Sequence, residues 1–204
     1  MGIVTIITKG GFLVYLILLC SIFALSSFIE RLIKLHSSTI NTDVFLKEVE
    51  QLVIEDNISE ACNLCERFNS PVSRVVKAGL THLDMTREKL TVYLEEAALH
   101  EFPNLEAGLS ILSTVAHIAP LLGLLGTVNG MIKAFQVIQE KSQATGLASP
   151  GDLAQGIWMA LITTALGLAV AIPTVVAYNY VFHRVQTIKH DMEKAATKVL
   201  SFVS

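Results

Sequence analysis

Few side chains in this 204-residue chain could act on an ion or a substrate, and most of those are uncharged and embedded in apolar sequence. His117, Thr127 and Asn129 fall within AHIAPLLGLLGTVNGMIKA, residues 116–134, while Thr164, Thr174 and Tyr178 fall within a second apolar stretch. An imidazole at membrane depth can relay a proton, which makes His117 a candidate relay. Its plainer role, bonding a hydroxyl or a backbone carbonyl where subunits meet, is preferred, and Asn129 is read likewise as an interhelical hydrogen-bonding group. Threonine hydroxyls can touch a passing ion but cannot compensate its charge, and neither stretch holds a carboxylate. No nucleophile, base and orienting group converge, so an enzyme is not expected. Cys62-x-x-Cys65 is half of a metal or redox motif without a second Cys or His pair. Two ordinary helix cysteines are expected there, and neither metal nor cofactor.

The elements that carry these groups must cross a bilayer. Between Glu106 and Lys133 lie 26 residues without a formal charge, and a span needs only about 20. Within them Ala116, Pro120, Gly123, Thr127, Gly130 and Ala134 recur at spacings of four, three, four, three and four. At helical pitch these residues share an arc of roughly 80°, a face nearly free of bulk. In lipid such a face lets another helix backbone approach closely. Pro120 and Pro173 are expected to kink their helices, and Lys133 to snorkel to the far interface.

Charge separates the rest of the chain. Of 18 acidic residues, 13 lie between His36 and Glu106, whereas residues 107–183 hold only Lys133, Glu140, Lys141 and Asp152. Mean hydropathy is +0.56 and net charge −3; with no basic stripe, no nucleic-acid partner is expected. The sequence predicts a periplasmic N-terminus at 1–9, transmembrane helix 1 at 10–35, a cytoplasmic helical domain at 36–104, transmembrane helix 2 at 105–135, a periplasmic loop at 136–151, transmembrane helix 3 at 152–183 and a cytoplasmic basic tail at 184–204. Arg31, Lys34 and the basic tail set this orientation by the positive-inside rule.

In the cytoplasmic part, Asn41 or Thr42 caps a helix reaching about Asp56, and Ser70-Pro71 opens another reaching about Leu83. A further helix, starting at a plain Thr86 cap, runs past Pro103 into the second span. Gly146, Ser149, Pro150 and Gly151 supply the turn between the second and third spans.

The third span repeats the pattern of the second. Gly156, Ala160, Thr164, Gly167, Ala171, Thr174 and Tyr178 again recur at fours and threes. The first span is bulky on all sides (Leu13, Leu16, Ile17, Leu19, Ile22), as suits a helix facing lipid. The economical arrangement is a ring of identical chains, second and third spans inward, whose small-residue stripes line a lumen that holds other helices. A partner then supplies the charge.

These residues resemble the ExbB/TolQ/MotA family of ion-driven membrane motors, most closely its three-span ExbB/TolQ branch. The resemblance rests on IERL (Ile29 to Leu32), APLLGLLGTVNGMIKAF (Ala119 to Phe135), ALITTALGLAVAIP (Ala160 to Pro173) and Tyr178-Asn179. It implies an all-α homopentamer in the bacterial inner membrane around a dimeric, single-span ExbD/TolR-type partner, with work passed to a TonB- or TolA-like protein. It also implies that Thr127 and Thr164 lie on the ion path, with protons expected and sodium the alternative. At the position where the family carries a third-span glutamate this chain has Met159, which puts a proton relay there in doubt. The rival reading from another class is a small secondary transporter binding solute between the second and third spans.

Overall fold

The computed structural model describes residues 11–38, 40–145 and 150–203; the expected N-terminal segment, residues 1–9, lies outside them. The described residues form seven helices: α1 (Phe12–Ser38), α2 (Thr42–Ile54), α3 (Ile58–Phe68), α4 (Pro71–Leu80), α5 (Arg87–Glu106), α6 (Leu109–Thr145) and α7 (Pro150–Leu200). Three of them, α1, α6 and α7, are long and apolar enough to cross a membrane. Two compact units divide the chain. One comprises residues up to Ile29 with Gly108–Asn179, and the other Glu30–Ala107 with Tyr180–Ser204.

The first, membrane unit combines most of α1 with α6 and the first part of α7. The expectation of a first span that is bulky and lipid-facing all round needs correction. Val14, Ile17, Ala24 and Ser27 recur at helical spacing and are buried, whereas Leu19 and Ile22 stay exposed, so α1 packs one face and turns the other outward. Ser27 donates its hydroxyl hydrogen to the Gly108 carbonyl at 3.1 Å.

The second unit is a helical bundle whose local signals act as physical chemistry predicts. Asn41 accepts from the Val44 N–H and starts α2. Ser70 and Ser73 form a reciprocal capping box with Pro71 at the first helical position. Asp56 (φ 57°) and Asn69 (φ 43°) take the left-handed conformation that ends a helix. Thr86 precedes α5, but its side chain makes no cap hydrogen bond. Inside, Phe45, Val75, Leu90, Leu94 and Met192 are fully buried. α7 supplies Val181, Val185, Ile188, Met192, Ala195 and Val199 at spacings of four, three, four, three and four to this core. The lysines at that end of α7 are partnered: Lys189 with Glu106, Lys194 with Asp43 and Lys198 with Glu50. The expected basic tail is therefore a strap whose cations hold acidic helices.

Helix ends on either side of α6 differ from expectation. The helix opened after Thr86 does pass Pro103, but it stops at Glu106 rather than continuing into the second span. Gly108 adopts φ +76°, outside the helical region, and the Ala107 N–H closes α5 on the Pro103 carbonyl at 3.0 Å. Arg31, itself buried, donates to the Asn104 carbonyl at 3.0 Å beside this end. Farther on, α6 continues to Thr145 because its last turns are rich in Gln, Glu and Lys, which favour helix. Pro150 and Gly151 belong to α7 rather than to a turn, and Gly146 and Ser149 lie outside the described residues.

Candidate functional site: the α6–α7 seam

Helices α6 and α7 approach closely because glycine removes the side chains between them. A Cβ built on Gly123 would lie 3.0 Å from the Thr164 Cα and 3.4 Å from the Gly167 Cα. One on Gly130 would lie 2.9 Å from the Ala160 Cβ, and one on Gly167 only 2.6 Å from the Ala119 carbonyl oxygen. One on Gly156 would collide with Ala134. Along these pairs one residue number rises as the other falls, so the two helices run antiparallel.

The two small-residue stripes thus meet each other within one chain. Ala116, Gly123, Gly130, Ala134, Ala160, Gly167, Ala171 and Thr174 are buried inside a single copy. A bare helix face is satisfied by the nearest backbone, and that backbone is the other arm of the same hairpin. Pro120, Thr127, Gly156, Thr164 and Tyr178 keep part of their surface.

Hydroxyls mark the seam. Thr164 donates across it to the Gly123 carbonyl at 3.0 Å. Thr127 donates to Leu124 at 2.6 Å, Thr163 to Ala160 at 2.7 Å and Thr174 to Val170 at 2.7 Å, each within its own helix. With their protons committed to carbonyls, these oxygens present lone pairs, which can accept from a hydrated proton or coordinate a cation. No carboxylate accompanies them: α6 from Leu109 to Gln139 carries only Lys133, and residues 153–182 carry no charge.

His117 is exposed, and its Nδ1 lies 2.7 Å from the Ser113 carbonyl. A carbonyl only accepts, so Nδ1 carries the hydrogen of this contact. The ring bonds a backbone carbonyl of its own helix. Met159 lies off the seam, half-buried, lining a cavity of about 350 Å³ with Asn129, Lys133 and Thr163. Sequence reasoning missed Gly126 and Thr163. Both are buried, and a Cβ on Gly126 would collide with Thr163. The available signal is the spacing of Gly126, three after Gly123 and four before Gly130, about 40° outside the arc shared by Ala116 to Ala134.

No group of three or more His, Cys, Asp or Glu side chains that could hold a metal occurs among the described residues. Burial pushes the Cys65 thiol up to about 12, against formation of the thiolate that metal binding or disulfide exchange requires.

Residues 67–194 match the MotA/TolQ/ExbB proton channel family. The chain is 31% identical over 178 residues to an ExbB homolog, named for biopolymer transport, from Methanothermobacter thermautotrophicus, covering 87% of this chain and 62% of that protein. It is 31% identical over 166 residues to the biopolymer transport protein ExbB of Pseudomonas putida, covering 77% and 49%. It is 44% identical over 91 residues to the Tol-Pal system protein TolQ of Haemophilus influenzae, covering 45% and 38%. The chain thus spans between about a third and two thirds of the length of these curated relatives.

Proposed function

Because the chain belongs to the MotA/TolQ/ExbB proton channel family, we propose that it is the channel-forming, stator-like subunit of an inner-membrane motor driven by the ion motive force. In this reading five copies form a ring around a dimeric single-span partner of the ExbD/TolR type. The complex energises a TonB- or TolA-like protein for outer-membrane transport or envelope maintenance. The N-terminus is periplasmic and the C-terminus cytoplasmic, as the distribution of lysine and arginine favours.

The observation that carries the proposal is a tight, uncharged helix pair with threonine oxygens at its edge. An ion crossing low-dielectric surroundings needs a compensating charge. The pair offers Thr127 and Thr164, both still partly accessible, and no carboxylate, so the partner brings the charge and the hydroxyls supply ligands along the way. Protons are the expected ion and sodium the alternative. Because one charge crossing 100 mV yields about 2.3 kcal/mol, a working stroke uses several ions.

The transporter alternative places solute between α6 and α7. The Gly167 position there lacks room for one methyl group, with the Ala119 oxygen 2.6 Å from where it would stand.

The test is genetic. Thr127→Val and Thr164→Val, expressed with the partner, are expected to assemble and co-purify normally yet fail to energise outer-membrane uptake or envelope integrity. Normal energisation by both variants would overturn the ion-path assignment.

A further inference from the structure

The cavity that Met159 lines has features the coupling role does not use. Its volume of about 350 Å³ falls in the range of small-molecule sites, which pair apolar walls with a few convergent polar groups. Phe12 of α1 and Leu125 and Ile132 of α6 provide the apolar wall, while Asn129, Thr163 and Lys133 provide the polar groups. No acidic residue lines it, and Lys133 makes no ion pair or hydrogen bond among the described residues.

Lys133 lies 24 residues beyond Leu109, about 36 Å along the helix. The charge-free run 107–132 is 26 residues, about 39 Å of helix, longer than the hydrocarbon core of about 30 Å, so a span centred on that run places the Lys133 ammonium group in the headgroup layer. Leu125 lies eight residues before Lys133 on α6, about 12 Å nearer the middle of the span. Phe12 is 74% exposed and Leu125 52%, as surfaces facing acyl chains would be.

We propose that this cavity is a binding site for one anionic phospholipid. Lys133 pairs with the phosphate, the Asn129 amide donates to a phosphate or glycerol oxygen, and an acyl chain lies along Phe12, Leu125 and Ile132. A positive pocket without an internal counter-ion, at headgroup depth between spanning helices, selects an anionic headgroup over a zwitterionic one. The proposal rests on the membrane character of the chain and not on the ion path, so it stands or falls independently of coupling.

The experiment is native mass spectrometry of the full chain, purified with its assembly intact and supplied with phosphatidylglycerol or phosphatidylcholine of matched acyl chains. Retention of phosphatidylglycerol should exceed that of phosphatidylcholine about fivefold, the size of one lysine's attraction for an anionic surface. Lys133→Gln should abolish the preference, Lys133→Arg should keep it, and Asn129→Ala should weaken it. Equal retention of the two lipids would overturn the proposal. So would retention by Asn129→Ala equal to wild type, because a surface lysine alone would then explain binding. Displacement of the lipid by millimolar inorganic phosphate would indicate a soluble-anion site and also contradict it. Unchanged circular dichroism in the variants excludes misfolding as the cause.

Discussion

The two units of this chain reach close packing by opposite means, and glycine shows the difference best. In the membrane unit, the Cβ missing from Gly167 would stand 2.6 Å from a backbone oxygen, which cannot yield without moving a helix. In the helical bundle, the Cβ missing from Gly79 would stand 2.6 Å from Val199 Cγ1 and 2.9 Å from Leu94 Cδ2, the ends of side chains. One seam is built by taking side chains away, the other by filling space with them. Water supplies the reason: burying apolar bulk is rewarded in the bundle, whereas lipid gives helices no such incentive and leaves close contact and hydrogen bonds to hold them.

The largest effect tests the bundle. Leu94 is 1% exposed, and Leu94→Ala should cost about 2–5 kcal/mol of that unit's stability, seen as loss of hydrogen-exchange protection in α4, α5 and the end of α7. Protection in α6 should be little changed. A next, smaller effect tests the seam. Gly167→Ala should cost about 1–3 kcal/mol through overpacking against backbone, and Gly79→Ala clearly less, compared by thermal unfolding in detergent. Equal costs would erase the distinction between the two modes of packing.

The smallest effect concerns the bundle's charged rim. Lys194 beside Asp43, and Lys77 beside Glu66, hold both carboxyl groups below their ordinary range, chiefly through hydrogen bonds to the ammonium groups. A carboxyl whose folded pKa is depressed contributes stability that is fully present above the unfolded value, near pH 4, and lost as pH falls through the folded value. Protection of α2 amides from exchange, relative to their intrinsic rates, should therefore fall slightly below about pH 4. Asp43→Asn should remove part of that acid sensitivity, an effect absent from the seam, which has no such pair.

The same division explains how much was legible in the sequence. Asn41 and Ser70-Pro71 announced their helix starts because capping is decided within a few residues. The stripes from Ala116 to Ala134 and from Gly156 to Tyr178 were visible as faces, because helical period alone produces them. Which surface each face meets is a tertiary fact, and the partner proved to be the other stripe of the same chain. Gly108 escaped notice because nothing local distinguishes a helix-breaking glycine from the many in membrane helices. The pairing of Lys194 with Asp43 and of Lys198 with Glu50 joins residues about 150 apart in sequence, beyond the reach of any pattern along the chain. Thr163 and Gly126 were hidden by proximity to the stripes, since an arc drawn on a wheel has no sharp edge.

In the proposed motor, threonine oxygens at the edge of the α6–α7 seam carry the ion. Proton uptake into proteoliposomes containing the purified assembly with the proposed single-span partner, driven by an imposed potential, tests it directly. Thr164→Ser, which keeps the hydroxyl, should conduct like wild type, and Thr164→Val, of equal size without it, should lose most of the flux. Equal flux through the valine variant would contradict the account.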